Sequence, residues 1–162
     1  MARNDVVQGL MPSILDRLID PESAGTSIMI GYDVAKMYQA VMRDLDDLLN
    51  TRQTFRDMPA YLKECRDSIL SYGLPDIMSM DSVSRHQQGE IARSIQRVIE
   101  RFEPRLKDVH VTLLDPGENW TRHSVRFRVD ARLTVDPAPD VAFDTVLEMA
   151  SGHYHVTSAK NE

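Results

Sequence analysis

Ser124-Val125-Arg126-Phe127-Arg128-Val129-Asp130-Ala131-Arg132-Leu133-Thr134-Val135 is the stretch that decides the fold class. Apolar side chains fall on every odd position and polar ones on the even positions. Wound as a helix, this pattern would scatter apolar groups around the whole cylinder. At period two they all share one face, so the stretch predicts a strand with one buried side, and Arg126, Arg128, Asp130 and Arg132 mark the other side. Working outward, Val109, Val111 and Leu113 alternate with Asp108, His110 and Thr112, which predicts a preceding strand. Asp115-Pro116-Gly117 supplies the turn chemistry between the two. On the far side, Asp136-Pro137-Ala138-Pro139-Asp140 is too rich in proline for a sheet interior and reads as a connection. Val141, Phe143, Thr145, Leu147 and Met149 then mark a third strand, Ser151-Gly152 a tight turn, and His153 to Thr157 a short fourth strand.

Upstream the period changes to that of helices. Asp33 is placed as an N-cap before Val34, Met37, Tyr38, Val41, Leu45, Leu48 and Leu49, one continuous apolar face ending near Asn50. Ile91, Ile95, Val98, Ile99 and Phe102 form a second such face within Ser84 to Phe102, which Pro104 prevents from extending. Between them, Tyr61 to Tyr72 is expected to be a helix with Leu62, Cys65, Ile69 and Leu70 inward, stopped by Gly73. A short helix near the start presents Met11, Ile14, Leu15 and Leu18 on one side and ends at Asp20-Pro21. So short a helix is marginal alone and needs a surface to pack on, from its own chain or a partner. Helices first and antiparallel strands last predict an α+β domain, with N-terminal helices packed on a small C-terminal antiparallel sheet. Residues 1–26 read as a segment that a partner would order, 27–158 as a single domain and 159–162 as a polar tail.

The chain has 162 residues, 42% of them hydrophobic and 27% charged, the balance of a globular chain that builds its core without staples. No apolar run approaches the roughly 18 residues of a spanning helix, so membrane insertion is not expected and a cytoplasmic location is. A net charge of −6 argues against a general nucleic-acid binder and for protein partners. Cys65 has no second cysteine to pair with and reads as a small buried filler.

Catalytic signatures are missing: there is no glycine-rich phosphate loop, HExxH, Cys-x-x-Cys or Gly-x-Ser-x-Gly. No cofactor or metal is expected; His153 and His155 share a strand face, but solvated histidines are the common case there. Glu103 beside Phe102 is the one carboxyl in a partly apolar setting, which leaves a small peptidoglycan hydrolase as the alternative function. The constellation that stands out is Phe102-Glu103-Pro104-Arg105-Leu106 at the helix-to-strand junction. There a proline fixes a charged pair whose forked arginine is suited to a carboxylate, in its own corner or on a partner.

These residues carry a resemblance. Ser13-Ile14-Leu15-Asp16-Arg17-Leu18, Arg43-Asp44-Leu45 with Leu48-Leu49-Asn50-Thr51-Arg52, Ser71-Tyr72-Gly73-Leu74-Pro75-Asp76 and the Glu103-Pro104-Arg105 corner follow in the order of four motifs. Together they resemble the TssE subunits of type VI secretion, which are similar to the wedge protein of contractile phage baseplates. The resemblance implies a scaffold and not an enzyme, although phage relatives have been labelled lysozyme-like. It implies a place in a baseplate near the inner membrane, beside the wedge proteins TssF and TssG and indirectly TssK, and a sheet that templates the TssB and TssC sheath. Glu103, Pro104 and Arg105 are implied to dock on the wedge core. The basic strand face of Arg126, Arg128 and Arg132 is a further candidate for an acidic partner surface.

Overall fold

The computed structural model describes residues 10, 12–19, 33–55, 59, 61–75, 85–114 and 124–159. In chain order these form α1 (Ile14–Ile19), α2 (Val34–Asn50), α3 (Lys63–Arg66), a 3₁₀ turn (Ile69–Ser71) and α4 (Arg85–Phe102). The strands β1 (Leu106–Leu113), β2 (Ser124–Leu133), β3 (Asp140–Glu148) and β4 (His153–Ser158) follow. All strand pairs are antiparallel and their spatial order is the chain order, a four-stranded meander. This is the α+β arrangement expected from the change of period.

Helix α2 packs against β4 and α4 against β1, so two helices cover one face of the sheet. The alternation of β2 is realised without error: Val125, Phe127, Val129, Ala131 and Leu133 are buried, and Phe127 and Val129 are wholly so. Facing them from the helices are Met37, Val41, Leu45 and Leu48 of α2 and Ile91, Ile95 and Ile99 of α4. Burying a side chain the size of Phe127 or Phe143 contributes about 1.5–3 kcal/mol. Asp33 caps α2 as expected, accepting the Lys36 N–H at 2.8 Å.

The segment from Tyr61 to Tyr72 corrects the sequence reading. Its helix is four residues long, and Leu62, Ile69 and Leu70 point outward, with Ile69 86% exposed. Cys65 is only partly buried. The chain leaves the helix because Ser68 takes over local bonding: its hydroxyl donates to the Cys65 carbonyl at 2.7 Å and accepts from the Leu70 N–H. Gly73 does adopt the expected positive φ, 96°, but for a different purpose. It lets Leu74 run parallel to Arg52, with Leu74 N–H donating to Thr51 O and Gln53 N–H to Leu74 O. A Cβ on Gly73 would lie 2.3 Å from Thr51 O, so the close approach admits no side chain.

The two edges of the sheet differ. Ala159 N–H donates to Ala142 O and Gly152 N–H to Glu148 O, so the alternation of the ladder sends the amides of Tyr154 and Val156 outward. Helix α2 covers them. Asn50 accepts the Tyr154 N–H at 2.9 Å and donates to the Tyr154 carbonyl at 2.8 Å, and Asp46 accepts the Val156 N–H at 3.1 Å. At β1 the same alternation, anchored by Leu114 N–H to Arg126 O, sends the amides of Val111 and Leu113 outward, up to a shift of register between Lys107 and His110. There, among the described residues, Val111 meets the side chain of Gln96 of α4 at 3.5 Å.

Candidate functional site

The four motifs, scattered through the sequence, meet at one corner of the molecule. Ser13 caps α1 reciprocally with Asp16: the Asp16 N–H donates to Ser13 Oγ and the Ser13 N–H to Asp16 Oδ2, each at 3.0 Å. The other oxygen of Asp16 accepts from Arg43 Nη2 of α2 at 2.8 Å. Arg43 also donates to Asp44 Oδ1 through Nε at 2.9 Å and Nη2 at 2.8 Å. Asp44 Oδ2 in turn accepts from Arg105 Nη2 at 2.6 Å. Arg105 closes the chain on Glu103, with Nε donating to Oε1 at 2.7 Å and Nη2 to Oε2 at 2.5 Å. Asp16, Arg43, Asp44, Arg105 and Glu103 thus alternate in sign along one continuous path.

Backbone bonds fix the Glu103-Pro104-Arg105 turn from both sides. Glu103 N–H donates to Ile99 O of α4, Leu106 N–H to Glu103 O, and Thr134 N–H, just past β2, to Arg105 O. The Thr134 hydroxyl adds a bond to Pro104 O at 3.2 Å. Glu103 is 3% exposed and Pro104 stands outside. Burial pulls the Arg105 guanidinium down, but hydrogen bonds and charge from Glu103 and Asp44 outweigh it and hold it above its ordinary value. Asp16 shows the same balance with opposite sign: burial pushes its carboxyl up, and bonds from Arg43 and Ser13 more than reverse this, leaving it below the usual range.

An open cleft of about 530 Å³ lies beside this path, lined among others by Leu15, Asp47, Tyr72, Phe102 and Pro104. Its floor is the edge-to-face pair of Tyr72 and Phe102, with ring centroids 5.3 Å apart. The Tyr72 hydroxyl is pushed up, first by burial and then by the charges of Asp47, Asp44 and Glu103.

Sequence reasoning singled out Glu103, Pro104 and Arg105, and they do form one rigid turn. It missed that Asp16, Arg43 and Asp44 complete the site; the ordered motifs pointed to them, but no local spacing reveals a contact 61 positions apart. Arg126, Arg128 and Arg132 are separate from this corner, on the open face of the sheet. Arg128 Nε bonds Asp144 at 2.9 Å, Arg126 lies 4.0 Å from the same carboxylate, and Arg132 lies 3.3 Å from Asp140 and 3.7 Å from Asp108. That face is therefore of mixed charge. His153 and His155 sit together at 4.8 Å between ring centroids, with His155 Nε2 3.8 Å from Glu148. Among the described residues no group of three or more potential ligands is arranged to hold a metal, and no helix is long and apolar enough to cross a membrane.

Residues 35–138 match the family model described as baseplate wedge protein gp25. The chain belongs to this family. It is thus a structural baseplate component, and the match runs from α2 through the Glu103-Pro104-Arg105 turn to the connection after β2. α1 lies before the matched stretch. A solved structure titled "The baseplate complex from the type VI secretion system" is similar at 20% identity and a TM-score of 0.47, over 68% of this chain and 93% of that one. No curated protein matches the sequence.

Proposed function

We propose that this wedge-family member serves a type VI secretion machine, in a cytoplasmic baseplate near the inner membrane. It holds the wedge core of TssF and TssG, and through them TssK, while its sheet starts the TssB and TssC sheath. The observation that carries the docking role is the convergence of all four motifs on one rigid corner, from which Pro104 projects. Glu103 and Arg105 support the contact from behind: Nε and Nη2 of Arg105 are held by Glu103 and Asp44, and its Nη1 is buried, so the pair sets the shape of the turn.

The sheath role draws on the contrast between edges. Polar side chains of α2 cover β4, whereas β1 offers outward amides at Val111 and Leu113, suited to an added strand. The open face of Arg126, Arg128 and Arg132, with side chains 44%, 36% and 52% exposed, is assigned a secondary contact with an acidic sheath or wedge surface.

The role is that of a scaffold and not an enzyme. The hydrolase alternative draws on Glu103, yet both its oxygens accept from Arg105 and neither is free to protonate a leaving group. The test is co-purification with TssF and TssG, comparing wild type with Pro104→Asp, a change at an exposed position. Capture by wild type and its loss in a variant with unchanged circular dichroism is expected. No capture by wild type would sink the proposal.

A further inference from the structure

A second cleft, open and about 830 Å³ in volume, runs between α4 on one side and α3 with the 3₁₀ turn on the other. None of Asp16, Arg43, Asp44, Glu103 or Arg105 lines it, so its charges are not those of the ionic corner. Arg101 of α4 ties the two walls together, with Nη1 donating to Arg66 O at 3.4 Å and Nε 3.4 Å from Asp67. A further open stretch of about 490 Å³ shares Ser94 and Arg97 with the cleft and continues along α4 to Arg93 and Glu90. Ile69 stands between Asp67 and Ser71, which both line the cleft, and it is 86% exposed.

The arginines of this cleft differ from the others. Arg93, Arg97 and Arg101 recur at every fourth position and form one row along α4, and Arg66 lines the opposite wall from α3. Arg43, Arg105, Arg126, Arg128 and Arg132 each lie within 4.0 Å of a carboxylate of their own chain. Among the described residues, no carboxylate pairs with Arg66 or Arg97, and both are exposed. Arg97 bonds neutral acceptors on its own helix, Nε to Arg93 O at 3.2 Å and Nη2 to Ser94 Oγ at 3.1 Å. Those bonds orient the guanidinium without offsetting its charge.

The carboxylates nearby decide which kind of anion fits. Asp67 and Glu100 line the cleft and Glu90 lines the stretch beyond it. A nucleic-acid strand carries a phosphate at every nucleotide and meets these carboxylates as like charges. A peptide can place its carboxylates opposite the arginines alone and set an apolar side chain on Ile69.

We propose that this cleft binds an acidic segment of another protein, with carboxylates on Arg66 and Arg97 and an apolar side chain on Ile69. An arginine fork can receive a carboxylate through two parallel N–H bonds, which fixes direction as well as sign. On a chain of net charge −6 such a site also sets position, because an acidic segment meets like charge over the molecule at large. The proposal does not rest on the docking role of the Glu103-Pro104-Arg105 turn, and its failure leaves that role standing.

The full-length chain is titrated into a fluorescent peptide of glutamates around a central pair of leucines, and anisotropy is read at about 50 and about 500 mM salt. The same peptide with glutamines for glutamates and a fluorescent thymidine oligonucleotide are run beside it. Wild type is expected to bind the glutamate peptide alone, and more weakly at the higher salt. Arg66→Glu with Arg97→Glu should weaken binding at least tenfold at the lower salt, and the milder Arg97→Gln should weaken it several-fold. Ile69→Ser should weaken binding at both salt concentrations. All these positions are exposed, and circular dichroism checks that the fold is kept. Arg132→Glu, on the open face of the sheet, should leave binding within twofold. No binding by wild type at the lower salt, or an equal loss in Arg132→Glu, would overturn the proposal. An oligonucleotide bound as tightly as the peptide, and lost in the same arginine variants, would overturn it in favour of nucleic acid.

Discussion

Asp16 shows how much a single carboxylate does at this corner. It caps its own helix through Ser13 and ties that helix to α2 through Arg43, and these bonds hold its pKa below the unfolded value despite burial. The consequence for pH has a definite sign. A carboxylate with a depressed folded-state pKa contributes stability that is fully present above the unfolded value, about 3.9, and is lost as pH falls through the folded value. Hydrogen exchange at the Arg17 and Leu18 amides should therefore show protection at pH 6 that fades below about pH 4. Asp16→Asn and Arg43→Ala should lack that protection already at pH 6, because either change removes the charged bond that anchors α1. Protection in wild type that persists to pH 2.5, or survives in both variants, would mean that something other than the ion pair holds the helix.

Among the elements, β4 and β1 are equal in sequence pattern and unequal in structure. Asn50, at the C-terminal end of α2, treats β4 as a neighbouring strand would, donating to and accepting from Tyr154. Asn50→Leu should free that edge and promote self-association visible by light scattering, since an unpaired edge is a template for another chain. Val111→Pro, at an outward amide of β1, should leave the monomer folded and impair sheath nucleation by TssB and TssC. Normal nucleation with Val111→Pro would direct attention away from β1. Strands were legible because period two leaves one solution for Val125 to Val135, and α2 and α4 because their apolar stripes are long. Tyr61 to Tyr72 was not, because Leu62, Ile69 and Leu70 carry helical spacing without a core to face. Apolar periodicity reports that a face seeks cover, and it is silent on whether the cover is the same chain. The site was half legible for a related reason: Glu103 to Arg105 is local, whereas the contact of Arg105 with Asp44 exists only once α2 and α4 lie on the sheet.

At the scale of the whole molecule, the described residues divide into a body that is complete without α1 and a short helix that adds little buried apolar surface to it. All the buried hydrophobic residues belong to the stretch from Met37 to Tyr154, and α1 contributes Asp16 alone to the buried set. Stability and docking should therefore separate. A chain shortened to begin at Ser27 keeps α2, α4 and the four strands, and loses the ionic anchor together with the exposed stripe of Ile14, Leu15, Leu18 and Ile19. Its denaturant m-value, which tracks the surface exposed on unfolding, should stay within error of that of the longer chain over the same body, and its melting temperature should fall by only a few degrees. Capture of TssF and TssG should drop far more than stability does, because the shortened chain keeps Pro104 but no longer presents Leu15 and Leu18 beside it. A large loss of cooperativity on shortening would show instead that the first 26 residues belong to the folding unit, and the outward stripe of α1 would then have to be explained by residues of this chain that cover it.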